Sequence, residues 1–168
     1  MKIKNIALVG NPNCGKTSLF NTLTGTRQKV ANYAGVTVER KEGSFKLPSG
    51  DAIRVLDLPG TYSLKPSSLD EEVTRAVCLG ELKGEILPDI FICVVDATNL
   101  SLHLSLVLEV RALNRPMILV LNMMDEVKKR SISIDKDKLS QLLGITVVEA
   151  VAVKTKGIQD FLLCTRQK

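Results

Sequence analysis

Tryptophan is absent, aromatic residues make up only 4% of the 168-residue chain, and there is a single histidine, His103. With so few rings the interior has to be aliphatic, of the Val, Ile and Leu type that fills buried parallel strands. With no second histidine to share a metal, His103 reads as a surface or partly packed helix residue rather than a base. The four cysteines, Cys14, Cys78, Cys93 and Cys164, lie far apart and form no Cys-x-x-Cys pair. That indicates neither a zinc site nor a disulfide framework and suits a reducing compartment. No apolar run is long enough to cross a bilayer, and Met1-Lys2-Ile3-Lys4 leads into a strand without the apolar stretch and cleavage site of a signal peptide. The segment is expected to be soluble by itself and cut at a domain boundary. Nor is there a large excess of one charge: a formal +5 is spread over 23 basic and 18 acidic residues. Its densest run, Lys128-Lys129-Arg130, reads as a solvated loop beside a helix in preference to a nucleic-acid patch, although such a charge also suits a surface facing anionic lipid.

What is present is concentrated in one stretch, Gly10-Asn11-Pro12-Asn13-Cys14-Gly15-Lys16-Thr17. It follows Ile6-Ala7-Leu8-Val9 and precedes Ser18-Leu19-Phe20-Asn21-Thr22-Leu23, so a glycine, a four-residue gap and Gly-Lys-Thr lie between a strand and a helix. That is the spacing and context of the loop that binds nucleoside triphosphates. The two glycines let the backbone turn with its N–H groups inward, the helix start adds the positive end of its dipole, and the Lys16 ammonium reaches the terminal phosphates. Thr17 offers its hydroxyl to a magnesium ion. Residues 10–18 are therefore the expected phosphate contacts, and alone they do not choose between ATP and GTP.

The rest of the chain reads as one α/β domain over 1–168. Strands are expected at 4–9 and 90–95, and a helix at 16–24 follows the first special loop. Thr26 to Thr37 has no clean period and reads as a mobile loop; Val38 to Leu47 and Ala52 to Leu56, joined by Pro48-Ser49-Gly50-Asp51, read as a hairpin. Helices follow over 70–82, from Leu100 to before Pro116, and over 135–143; strands follow at 117–121 and 145–150, and Gly157 opens a final short helix. The sum is a doubly wound, mainly parallel sheet of six strands with one antiparallel hairpin strand and helices on both faces. Its special loops all follow strands, so they meet at one sheet edge.

Asp57 of Asp57-Leu58-Pro59-Gly60 complements Thr17: a carboxylate there holds magnesium through a water, and the Gly60 N–H senses the terminal phosphate. Asn122-Met123-Met124-Asp125 resembles the Asn-Lys-x-Asp guanine signature of the Ras-like GTPases. A carboxylate at Asp125 accepts from both N1–H and the exocyclic amine of guanine, a donor pair that adenine lacks, so GTP is preferred. Met123 replaces the usual lysine and keeps an apolar surface to pack on the base.

The run from Gly10 to Gly25, Asn32-Tyr-Ala-Gly-Val-Thr37-Val-Glu and Asp57-Leu-Pro-Gly-Thr-Tyr-Ser-Leu together resemble the N-terminal G domain of the bacterial and archaeal ferrous iron transporter B family, FeoB. The likeness covers nearly the whole chain. It implies a Ras-like P-loop GTPase on the cytoplasmic face of the cell membrane, regulating Fe(II) uptake, with the family's helical and membrane domains as partners and oligomerisation through the latter. It also implies that Gly35, Val36 and Thr37 face the nucleotide, with Thr37 as a magnesium ligand, and that Asn13 binds a potassium ion that activates hydrolysis. On residue chemistry alone Asn13 reads equally as a loop residue tolerating its backbone angles. A cation is nonetheless useful, because Thr61 stands where Ras-like enzymes carry a water-positioning glutamine. In the last loop, Ala152 and Val153 occupy the positions of the Ser-Ala or Ser-Thr pair of such families, a backbone contact to the base survives, and fast GDP release is expected. No iron site is evident. Two other readings share these motifs: a soluble ribosome-assembly GTPase that binds RNA, and a binding module with negligible turnover.

Overall fold

The computed structural model describes residues 3–150. Seven strands form one sheet in the order β2-β3-β4-β1-β5-β6-β7. They are β1 (Asn5–Gly10), β2 (Gln28–Asn32), β3 (Glu39–Lys46), β4 (Ala52–Asp57), β5 (Ile90–Asp96), β6 (Met117–Asn122) and β7 (Thr146–Glu149). The five strands from β4 to β7 run parallel, and β2 and β3 add two antiparallel pairings at one side. Helices α1 (Lys16–Thr24), α2 (Leu69–Leu79), α3 (Leu100–Ala112), α4 (Met124–Lys129) and α5 (Lys136–Leu143) complete the described part, with a 3-10 turn at Ala97–Asn99. None of these helices is long and apolar enough to cross a membrane.

Strand alternation divides the core. Ala7, Val9, Leu56, Phe91, Cys93, Val95, Leu119 and Leu121 face α2 and α3, meeting Val73, Val77, Leu106, Val107 and Val110. Their sequence neighbours Ile6, Leu8, Val55, Ile92, Val94, Ile118 and Val120 face α1 through Leu19, Phe20 and Leu23. Because both faces are covered, β1, β5 and β6 are apolar except at the terminal Asn5, Asp96 and Asn122 and show no alternation in the sequence. α2 begins where the Ser68 hydroxyl accepts the Glu71 N–H, with Asp70, Glu71 and Glu72 set against the positive end of its dipole, and Gly80 ends it in a left-handed conformation.

The stretch expected to be a loop between Thr26 and Thr37 contains β2, so the sheet has seven strands rather than six and two antiparallel pairs rather than one. β2 pairs with β3 from Gln28↔Gly43 to Asn32↔Glu39, and every β2 side chain is exposed. An edge strand whose side chains are all exposed buries no side-chain face, so it writes no period-two pattern into the sequence. The Lys128-Lys129-Arg130 run also differs from its reading as a loop: Lys128 and Lys129 form the last turn of α4 and Arg130 caps it. Cations suit that end of a helix dipole. His103 is buried on α3, 5% exposed, so of the two expected positions, surface or packed, it takes the packed one.

Candidate functional site

The β1–α1 connection turns by way of two left-handed residues, Asn13 (φ 62) and Gly15 (φ 86). Asn13 thus has the backbone conformation that asparagine tolerates better than most residues. At Gly15 the constraint is tighter: a Cβ there would lie 2.0 Å from Asn122 Nδ2 and 3.6 Å from Met123 Cε. Asn122, the last residue of β6, is itself 6% exposed and donates from Nδ2 to the Cys14 carbonyl at 3.0 Å. Asn122 therefore acts as a strut that fixes the guanine-motif segment to the phosphate loop. Cys14 is buried, and burial pushes its thiol pKa up, which keeps it protonated and packed rather than nucleophilic.

Below the loop, Lys16 Nζ donates to Asp57 Oδ1 and Thr17 Oγ1 donates to Asp57 Oδ2 at 3.3 Å. Lys16 and Asp57 are 8% and 4% exposed. A buried lysine and carboxylate so placed compensate each other's charge. Gly60 follows on the segment after β4, close enough to the loop that an added Cβ would meet Pro12 at 3.1 Å. A cleft of about 490 Å³ opens along Asn11, Pro12, Asn13, Gly15 to Ser18, Gly60 and Met123. That lies within the ordinary size range of ligand sites. A second cleft of about 200 Å³ shares Lys16, Thr17 and Gly60 and continues to Asp57, Val38, Glu39, Lys41 and Asp70. Asn11 is 2% exposed, and neither its Nδ2 nor its Oδ1 has a partner among the described residues.

The residues singled out in the sequence between Gly10 and Ser18, together with Asp57, Gly60, Asn122 and Met123, are thus brought together. Asp125 lies exposed in the first turn of α4. Gly35, Val36 and Thr37 are not among the residues lining either cleft. They lie in the turn between β2 and β3, which is closed by the Tyr33 N–H donating to the Val38 carbonyl at 3.0 Å and anchored by the buried Tyr33 and Val38. Ala152 and Val153 lie outside the described residues. Glu39, Lys41 and Asp70, which sequence reasoning did not single out, also line the second cleft, Lys41 because the β3–β4 register sets it opposite Asp57. Thr61 is fully buried, its hydroxyl donating to the Ser63 carbonyl at 2.6 Å and to Glu71 Oε1 at 3.2 Å, so its side chain is turned away from the cleft chemistry.

The model of the N-terminal region of ferrous iron transport protein B matches residues 4–164. The chain belongs to the FeoB family. It is 48% identical over 167 residues to the Fe(2+) transporter FeoB of Salmonella typhimurium, an alignment covering 97% of this chain and 21% of that transporter. The chain therefore spans about a fifth of the length of such a FeoB. The cytosolic domain of T. maritima FeoB in a GDP form superposes with a TM-score of 0.89 at 43% identity, over 98% of this chain and 64% of that one. The isolated G domain of T. maritima FeoB gives 0.84 at 43% identity, over 98% and 99% of the two chains. The expected mainly parallel α/β fold of a P-loop GTPase is that of these FeoB G domains.

Proposed function

We propose that this chain is the guanine-nucleotide switch of a ferrous iron transporter: it binds GTP, hydrolyses it to GDP and phosphate, and passes the change to the transporter's helical and membrane domains. It would face the cytoplasm at the inner membrane, controlling Fe(II) uptake without touching iron. The observation that carries this reading is the convergence of three motifs on one cleft, with Lys16 and Thr17 on Asp57 and Asn122 on the Cys14 carbonyl. Family membership supports it over an RNA-binding ribosome-assembly GTPase.

The residues fit a magnesium-bound triphosphate. The hydroxyl of Thr17 and the carboxylate of Asp57 are hard oxygen donors 3.3 Å apart, the chemistry Mg²⁺ takes. A terminal phosphate would offer the Lys16 ammonium a charged acceptor in place of Asp57, and the Asp57 carboxylate would then be available to help hold magnesium through a water. Magnesium held there would supply positive charge against the phosphate oxygens. The main-chain amides of residues 13–17 cradle the phosphates, Gly60 N–H meets the terminal one, and Asp125 takes the guanine edge against Met123. Thr37 lines neither cleft, so for it to serve as a metal ligand the 33–38 turn would have to move. That is the ordering step expected of a switch segment. Since the Thr61 hydroxyl is committed to Ser63 and Glu71, it cannot stand in for the missing glutamine. A potassium ion held by the exposed Asn13 carboxamide would supply positive charge to the spread-out transition state. The last loop, at Ala152 and Val153, would contribute backbone contacts to the base.

Phosphate release measured in potassium and again in sodium tests the reading. Potassium should stimulate turnover, and Asn13→Ala should remove the stimulation while leaving GDP affinity within a few fold. Absence of turnover in both salts would leave only a nucleotide-binding module, and failure of GDP and GTP to bind by calorimetry would sink the assignment.

A further inference from the structure

The segment that follows Gly60 is tied to α3 by one carboxylate. Glu109 accepts the Ser63 hydroxyl at 3.0 Å on each oxygen and the Leu64 N–H at 2.5 Å. Ser63 Oγ in turn accepts the Lys65 N–H at 3.0 Å, and the Ser63 carbonyl accepts the buried Thr61 hydroxyl at 2.6 Å. Thr61 N–H donates to the Gly10 carbonyl at 3.1 Å, at the first residue of the phosphate loop. An unbroken chain of hydrogen bonds therefore runs from α3 through Ser63 and Thr61 to the end of β1. Gly60, immediately before it, lines both clefts.

We infer that Glu109 is a positioning residue for hydrolysis: by gripping Ser63 and Leu64 it holds Gly60 where its amide meets the terminal phosphate. The inference rests on the GTPase reading above and deepens it. Residues 61–68 contain no helix or strand. A glycine at their head keeps its amide in place only if the following residues are fixed, and a carboxylate accepting a hydroxyl and a main-chain N–H fixes two successive residues at once. α2 secures the same segment from the other side, through Thr74 Oγ1 on the Pro59 carbonyl at 2.9 Å and Glu71 on Thr61 and Ser67. Glu109 is the contribution from α3. Its target is an interaction made with the terminal phosphate, so its loss should fall on turnover and spare the GDP complex.

The test compares wild type, Glu109→Ala, Glu109→Gln, Ser63→Ala and the Glu109→Ala/Ser63→Ala double variant by single-turnover phosphate release and by GDP titration. Glu109→Ala should lower the hydrolysis rate roughly tenfold or more, the worth of one or two charge-assisted hydrogen bonds, while the GDP Kd stays within about threefold. Glu109→Gln, which keeps one acceptor oxygen, should recover part of the rate. Because Ser63 and Glu109 act through the same bond, the double variant should be little slower than the worse single one. Wild-type turnover in Glu109→Ala, a GDP affinity that falls in step with the rate, or strictly additive losses would each overturn the inference. A wild-type protein that binds no guanine nucleotide would instead remove the reading beneath it.

Discussion

Replacing Gly15 by alanine isolates what holds the phosphate loop to the guanine motif. Two costs act at this position. The backbone has φ 86, a left-handed conformation that costs a residue with a Cβ roughly 1–2 kcal/mol. The new methyl would also lie 2.0 Å from Asn122 Nδ2, so the strut must move and its bond to the Cys14 carbonyl must break. Leaving that buried donor and acceptor unmatched costs a further 1–3 kcal/mol or so, giving about 2–5 kcal/mol in all. Gly50 provides the control, because its φ is also 86 while nothing lies within 4 Å of an added Cβ. Gly50→Ala should therefore show the backbone cost alone. The assay is urea unfolding of both variants beside wild type, with stabilities from linear extrapolation, and a GDP titration of each. Gly15→Ala should be the less stable by about 1–3 kcal/mol and should bind GDP more weakly, since displaced Asn122 carries the base-binding segment with it. Gly50→Ala should leave GDP affinity unchanged. If the two variants were equally stable and bound GDP alike, the strut would have no energetic role and the reasoning would fail.

Two further outcomes follow from buried polar groups. The Tyr33 hydroxyl is buried with no partner among the described residues, so Tyr33→Phe should leave the urea midpoint unchanged or raise stability by up to about 1 kcal/mol; a clear loss would show that the hydroxyl is paired. Burial pushes the His103 pKa below its ordinary 6.5, and the Asp96 carboxylate only partly offsets this. The unfolded chain then binds the proton more readily, so this contribution to stability is complete above the unfolded value and is lost as the pH falls below it. Urea midpoints measured between about pH 7.5 and pH 5 should fall for wild type and fall less for His103→Gln; equal slopes would refute the assignment.

Much of the site was legible because phosphate binding places residue types at fixed chain spacings. Gly10, Gly15, Lys16 and Thr17 are separated by one loop, and the buried strands on either side announce themselves as apolar runs. The topology then requires Asp57 and Asn122 to arrive at the same edge, since each ends a strand of one parallel sheet. The reach of such reasoning stopped where backbone or long-range contacts decide. β2 carries no apolar face and is a strand only because β3 lies beside it. The burial of His103 depends on what packs over α3, which its spacing from Val107 does not reveal.

The sequence by itself singled out the residues of the proposed chemistry: the loop proposed to cradle phosphates, the carboxylate proposed to serve a metal and the one proposed to read guanine. That is so because a covalent chain fixes the order and spacing of donors within a single turn. Tertiary structure alone decided the couplings, namely Asn122 bracing Cys14 across 108 positions and Glu109 gripping Ser63 across 46. Such contacts join residues that no local pattern relates, and they exist only once packing has brought separate strands and helices within hydrogen-bond range.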